Sequence, residues 1–336
     1  MRRRLQKAAV LAAVTGLFRT AVYAQGTWVA PEVPGVDLAT EEFGTNDYYL
    51  YNVKADAFVT RGASWNMQAL ATRLTDNDEK ADGPHKVKVT KTEAGNFQFS
   101  VFDKSFLGGP RDGVNNVYAD HGTAENNEFK ATAIEGTKTF TLRPLCANDE
   151  AQYPYLDVAG KRGWFLTYAD GQGYTQWALL NGQTITSGAY RVYKAKQEMY
   201  DVYAALSEED HTTYKTALEA ANVVYLKTDA SLTEVHEATA AMLKAVAPAL
   251  TNTSVDASAL FTNADMLGAG RDGWTITGEL VGPSWGDFEC YHKTLTMTQT
   301  QTGLPNGLYT VAFHGFYRQD KEGEPAPKYT LTSGEN

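Results

Sequence analysis

Hydrophobic and polar positions change rhythm more than once along this chain. From Tyr48 to about residue 182, short runs rich in aromatic and β-branched residues alternate with Gly, Asn and Asp clusters. That is the pattern of strands separated by turns. Three runs echo one another: Tyr49-Leu50-Tyr51-Asn52-Val53, Phe97-Gln98-Phe99-Ser100-Val101 and Phe140-Thr141-Leu142-Arg143-Pro144. A second run follows each, at Ala57-Phe58-Val59, Ser105-Phe106-Leu107 and Pro154-Tyr155-Leu156. Each unit then passes through a glycine-bearing turn to a further strand, as at Asn127-Glu128-Phe129 and Gln176-Trp177-Ala178-Leu179. The spacing of about 45 residues is that of a repeat architecture. Three four-stranded units predict a β-trefoil over residues 46–186, in preference to a generic sandwich.

Over residues 189–250 glycine disappears, alanine becomes frequent and apolar positions recur at helical spacing. A first helix is expected over about Tyr193–Leu206. Ser207-Glu208-Glu209-Asp210 offers a hydroxyl cap followed by acids that match the helix dipole. Tyr214, Leu218, Ala221 and Tyr225 then share one face, and this spacing assigns the tyrosines to a core. Ser231-Leu232-Thr233-Glu234 has the capping-box form. Val235, Ala238, Met242 and Val246 make the next stripe, which Pro248 ends. The segment reads as a helical spacer of two or three helices.

After residue 252 the pattern is β again, with strand candidates at Trp274–Thr277, Glu289–Met297, Tyr309–Tyr317 and Tyr329–Thr332. Leu304-Pro305-Asn306-Gly307 is a turn signal. Four or five strands are few for a full sandwich, so residues 253–336 are expected to be part of a third domain that the chain ends inside. Residues 25–45, with Trp28 and Pro31-Glu32-Val33-Pro34-Gly35, read as an extended lead-in.

Ahead of the lead-in, Arg2-Arg3-Arg4 and Lys7 precede an apolar run from Ala8 to Phe18, and Val22-Tyr23-Ala24 supplies a cleavage site. This is the plan of a secretory signal over residues 1–24, cut before Gln25. The run is too short to span a bilayer, so an exported protein without a membrane span is expected, extracellular, on the cell surface or in the periplasm. Its removal leaves roughly 310 residues, room for two or three domains. The composition, 43% hydrophobic and 21% charged, is globular. A net charge of −10 without a basic stripe argues against nucleic acid as a partner.

Little in the sequence is built for catalysis. It contains no Gly-x-Ser-x-Gly elbow, phosphate loop or His-Glu-x-x-His helix, and the six histidines are scattered without metal-ligand spacing. Cys146 and Cys290 each sit in an apolar run and read as buried thiols rather than a disulfide. Asp76-Asn77-Asp78-Glu79-Lys80-Ala81-Asp82-Gly83 places oxygen ligands alternately, which makes calcium the cation to consider. The glutamate of a calcium loop is missing and Gly83 is misplaced, so a solvated turn is the preferred reading, and no cofactor is expected.

The aromatics carry the candidate chemistry. Trp65, Trp164, Tyr168, Trp285 and Tyr317 flank glycine-rich or polar stretches. An exposed aromatic face stacks on the apolar face of a sugar ring, while amides and carboxylates bind its hydroxyls. Trp65 with Asn66 and Gln68, and Trp285 with Asp287, have that local chemistry, although a core role competes at each position. Trp177 and Trp274 are assigned to core on their strand setting.

Tyr48-Tyr49-Leu50-Tyr51-Asn52-Val53, then Phe58-Val59 and Gly62-Ala63-Ser64-Trp65, resemble the opening of a β-trefoil-like module akin to ricin-type lectin domains. That module occurs in secreted multi-domain proteins of gut-type Gram-negative anaerobes. Asn263-Ala264-Asp265, Gly273-Trp274, Glu289-Cys290-Tyr291, Gly303-Leu304-Pro305-Asn306-Gly307-Leu308-Tyr309 and Gly315-Phe316-Tyr317-Arg318 look like the galactose-binding-like jelly-roll β-sandwich of the same proteins. The helical middle is similar to their spacers. Ricin-type lectins mark each sugar pocket with an early Asp and a late Gln-x-Trp. Here Gln176-Trp177 lacks the intervening residue, so no binding residue is carried over. The resemblance implies an exported, non-catalytic glycan-binding or surface-adhesion protein. The alternatives are accessory modules of a longer secreted glycoside hydrolase, and a structural spacer without ligand.

Overall fold

The computed structural model describes residues 27–63, 68–74, 78, 83–102, 105–109, 117–121, 127–145, 155–159, 165–169, 174–250, 253–264, 272–278, 295–312 and 330. The chain is mainly β, with an antiparallel sheet followed by helices. Residues 1–24, Cys146 and Cys290 lie outside the described residues.

Twelve strands fall in order: β1 (Tyr48–Asn52), β2 (Ala57–Ala63), β3 (Gln68–Thr72), β4 (Lys86–Lys91), β5 (Phe97–Phe102), β6 (Ser105–Gly108), β7 (Tyr118–His121), β8 (Phe129–Ala133), β9 (Phe140–Pro144), β10 (Tyr155–Ala159), β11 (Phe165–Ala169) and β12 (Trp177–Asn181). Six of them close a ring, because β1 pairs with β4, β4 with β5, β5 with β8, β8 with β9, β9 with β12, and β12 returns to β1. The other six form the hairpins β2–β3, β6–β7 and β10–β11. Strand β3 also bonds to β7 and to β11, so the hairpins make one cap. Three four-stranded units around a closed ring make a β-trefoil-like arrangement. The echoed sequence runs fall on β1, β5 and β9, and the runs that follow them fall on β2, β6 and β10.

Closure of the ring explains the residue pattern. Strand β4, Lys-Val-Lys-Val-Thr-Lys, buries Val87 and Val89 and leaves Lys88 and Thr90 exposed, as a strand with one wet face does. Strands β1 and β12 are different. Tyr48, Leu50, Trp177 and Leu179 point into the main core with Phe99, Phe129 and Leu142. Tyr49, Tyr51, Ala178 and Leu180 point outward into a second buried cluster. Both faces of these two strands are therefore dry, and their sequences read as continuous apolar runs.

The helices supply the second cover. They are α1 (Gly182–Thr186), α2 (Ala189–Ala204), α3 (Glu208–Thr213), α4 (Lys215–Leu226) and α5 (Leu232–Val246). Ile185 of α1, Tyr190 of α2 and Val33 of the lead-in join the outward cluster of β1 and β12. Helix α1 was not expected from the sequence; Asn181 caps it by accepting from the Gln183 N–H. Gly188, at φ 76°, turns the chain from α1 into α2, so α2 begins at Ala189 instead of near Tyr193. The helix expected from Ser207 onward is two, α3 and α4, broken where Tyr214 takes φ −102° and ψ 18°. Both expected caps are present, at Ser207 with Asp210 and at Ser231 with Glu234. Helices α2 and α4 pack on α5.

Residues 253–304 contribute one antiparallel pair among their described residues, β13 (Thr275–Gly278) with β14 (Leu295–Thr298). Trp274, expected in a core, is half-buried beside it and donates its indole N–H to the Asn263 carbonyl at 3.1 Å. Residues 305–336 form a separate unit. The strand expected from Tyr309 is not formed over residues 309–312. Leu308 is fully exposed and Val311 is 44% exposed, so this stretch has no apolar face packed against a sheet among the described residues. No helix among the described residues is long and apolar enough to cross a membrane.

Candidate functional site

Of the eight residues chosen from sequence, Trp65, Asn66, Trp164, Trp285, Asp287 and Tyr317 lie outside the described residues. Tyr168 is on β11, where its backbone pairs with Leu156. Gln68 opens β3. The cap brings their strands together, since Leu70 of β3 lies opposite Phe165 of β11.

Gln68 is opposed by a residue the sequence reading did not choose. It pairs with Ala63 on one side and with Tyr118 of β7 on the other, and the Ala69 N–H donates to the Val117 carbonyl at 2.9 Å. Ala69, Ala71, Val117 and Ala119 face the core. Strand alternation therefore turns Gln68 and Tyr118 to the opposite face, where both are half-buried. Directly opposed residues have Cβ atoms about 5 Å apart, so a phenol ring stands beside a primary amide. The amide offers two donors and an acceptor. This pair sets an aromatic ring beside hydrogen-bonding groups on the outward face of the cap.

Of the acidic stretch before β4, Asp78 and Gly83 are described and are buried rather than solvated, while residues 75–77 and 79–82 lie outside the described residues. Asp78 is fully buried and His85 is 1% exposed. The His85 Nδ1–H donates to Asp78 Oδ2 at 2.7 Å, and the His85 backbone N–H donates to Asp78 Oδ1 at 3.2 Å. Thr72 Oγ1 lies 2.7 Å from His85 Nε2. Both carboxylate oxygens of Asp78 are thus engaged by His85, and among the described residues no group of three or more His, Cys, Asp or Glu could hold a metal ion. Hydroxyl, imidazole and carboxylate follow the order of a catalytic relay, but a relay needs space for a reacting atom about 3 Å from the hydroxyl. Here the imidazole and carboxylate are buried and the hydroxyl is half-buried, and the network ties Asp78 and His85 to the end of β3. Gly83 is part of the enclosure, because a Cβ there would fall 1.8 Å from Asp78 Oδ1.

A second polar network joins α2 to the trefoil-like part. Asp56, in the turn between β1 and β2, has a left-handed backbone at φ 51°. Its Oδ1 accepts from the Tyr51 and Tyr190 hydroxyls, each at 2.8 Å, and lies 3.0 Å from Lys194 Nζ. Burial pushes the Asp56 carboxyl up. The Lys194 charge and the hydrogen bonds from Tyr51, Lys194 and Tyr190 together outweigh it and hold the carboxyl below its usual value. Burial also drives the Tyr51 and Tyr190 phenols well above theirs.

The positions nearest to the ricin-type signature are occupied internally. The Gln176 amide donates to Thr139 Oγ1 at 2.8 Å. Trp177 is fully buried, as expected, and donates to the Leu156 carbonyl at 2.9 Å. Asp157 accepts from the backbone N–H groups of Val158 and Tyr174.

No known protein family matches the chain, and no curated protein does. Solved structures resemble part of it. A ricin B-like lectin of Macrolepiota procera, in complex with lactose, is 15% identical and aligns over 42% of this chain and 99% of its own, with a TM-score of 0.31. A salivary protein of Culex quiquefasciatus from the Cysteine and Tryptophan-Rich family is 13% identical over 41% of this chain and 95% of its own, at 0.32. An exo-β-1,3-galactanase of Clostridium thermocellum is 15% identical over 41% of this chain and 30% of its own, also at 0.32. Likeness of this degree does not say what this chain binds.

Proposed function

We propose that this chain is an exported, non-catalytic glycan-binding protein whose trefoil cap holds a sugar at the cell surface or outside the cell. The observation that carries the reading is the Gln68–Tyr118 pair on the outward face of the cap. A pyranose stacks its apolar face on the Tyr118 ring, and the Gln68 amide exchanges hydrogen bonds with ring hydroxyls. A single shallow contact of this kind is weak, and affinity grows when several are presented together.

The test is a glycan array and polysaccharide screen on the mature chain from residue 25, with calcium and again with chelator. Binding that falls at least about tenfold with either Gln68→Ala or Tyr118→Ala, each changed at an outward position, supports the cap. Binding that survives both substitutions moves the site elsewhere. No binding to any glycan refutes the reading.

A further inference from the structure

The lead-in ends in an aromatic anchor seated on the helices. Trp28 stacks on Tyr203 of α2 at a centroid distance of 4.6 Å and 12° between planes. It also meets Tyr225 of α4 at 4.7 Å and 37°. Tyr200 neighbours both of these tyrosines, 6.4 Å from Tyr203 and 6.5 Å from Tyr225. Tyr203 is held from behind by His211, stacked on it at 4.2 Å and 5°, and the His211 Nε2–H donates to the Tyr203 carbonyl at 3.0 Å. The Tyr225 hydroxyl donates to the Val29 carbonyl, one residue beyond the anchor. The box therefore reads two features at once: a flat ring, and a main-chain carbonyl at a fixed step from it.

The occupant is peptide in its simplest form. Residues 27–36 have no regular secondary structure, and Pro31 and Pro34 restrict them to extended conformations at low entropic cost. Beyond the anchor, contact resumes at Val33 in the outward cluster and at the Val36 N–H, which donates to the Leu179 carbonyl at 2.7 Å. Between Trp28 and Val33, the side-chain tie is Glu32 with Lys138 at 3.6 Å, both largely exposed, a contact of little worth. A rigid aromatic anchor with one main-chain hydrogen bond, separated by solvated residues from the next contact, is how peptide ligands dock on a preformed surface.

We propose that the tyrosine box of α2 and α4 is a peptide-binding site for an extended segment with an aromatic anchor, filled in cis by Trp28 and exchangeable. Tyr200, Tyr203 and Tyr225 are donated by helices whose own packing on α5 does not pass through the lead-in, so the box persists when the anchor leaves. This inference is independent of the glycan reading, which concerns the cap.

The experiment uses the mature chain with Trp28→Ala and a fluorescent peptide of residues 27–36 as probe, read by anisotropy, with circular dichroism to establish folding. Saturable binding is expected, at least about tenfold tighter than to the wild-type chain, whose box is occupied, and weakened at least about tenfold again by adding Tyr203→Ala. Trp28→Leu, which keeps an apolar side chain but leaves no ring in the box, provides the comparison should Trp28→Ala not fold. A folded variant that takes up no peptide, or equal binding with and without Tyr203, overturns the proposal.

Discussion

The Asp56 junction allows a stability effect to be worked out in advance. Asp56→Ala removes the acceptor of two hydroxyls whose residues are almost fully buried, Tyr51 at 1% and Tyr190 at 8% exposure. A buried polar group left without a partner costs about 1–3 kcal/mol. The Asp56 side chain is itself 36% exposed, so water entering the gap relieves part of that cost, and the Lys194 ion pair adds little for the same reason. Alanine also adopts the φ of 51° less readily than aspartate. The sum is about 2–3 kcal/mol, or a fall in Tm of about 4–10 °C for a unit of this size. Asp56→Asn tolerates the backbone and keeps an acceptor oxygen, losing only the charge, and is expected to cost about 1 kcal/mol. The pH dependence has a definite sign. A carboxyl held below its usual value contributes fully above about pH 4 and loses that contribution as pH falls through its folded value. The gap between wild type and Asp56→Asn should therefore narrow below about pH 4. Thermal and urea unfolding at pH 7 and pH 3 measure all of this. Equal effects of alanine and asparagine, or a gap that widens in acid, would refute the reasoning.

Two further outcomes follow from local geometry. Gly83→Ala places a methyl 1.8 Å from Asp78 Oδ1 and must displace the carboxylate that holds His85. It is expected to destabilise by about 1–3 kcal/mol and to raise hydrogen exchange at the His85 amide; an unchanged amide would show that the loop does not depend on this contact. Ser231→Ala removes the cap of α5 and lowers Tm by about 2–4 °C. The Glu234 carboxyl, held at about 2 by its hydrogen bond to Lys227 and then by those from Ser231, should rise in an NMR titration while remaining below its usual range. A carboxyl that does not move would mean that Lys227 and the residue 231 backbone N–H set it without the hydroxyl.

The sequence made the ring legible because a closed barrel needs inward apolar residues at the same place in each unit. Leu50, Phe99 and Leu142, one from each echoed run, are all fully buried in the main core. The cap was harder to read. Strand β7, Tyr118-Ala119-Asp120-His121, has no run of β-branched residues, and its alternation shows only in Val117 and Ala119 facing inward. Tyr118 was missed for that reason, and with it the partner of Gln68. Within the acidic stretch, composition misled at Asp78. A count of charges predicts solvent, whereas Asp78 is stable in the interior because one histidine supplies donors to both of its oxygens.

The helical segment shows where periodicity stops being informative. Tyr-Tyr-Leu-Tyr-Asn and Trp-Ala-Leu-Leu-Asn announce strands that are dry on both faces, but they do not say what covers the second face. The cover comes from Ile185 and Tyr190 in helices that read as a spacer, and from Val33 in a lead-in with no period at all. An independent spacer would leave Tyr49, Tyr51, Ala178 and Leu180 as an exposed apolar stripe, a liability in an isolated β domain. The outward face of β1 and β12 thus demands the helices, and the helices carry the tyrosine box that receives Trp28. A truncation ending at Asn181 should therefore aggregate or unfold rather than yield a free trefoil, with loss of a single cooperative melt by circular dichroism. A soluble, cooperatively folded fragment of residues 25–181 would show that the second face tolerates water and that the helices are dispensable to the ring.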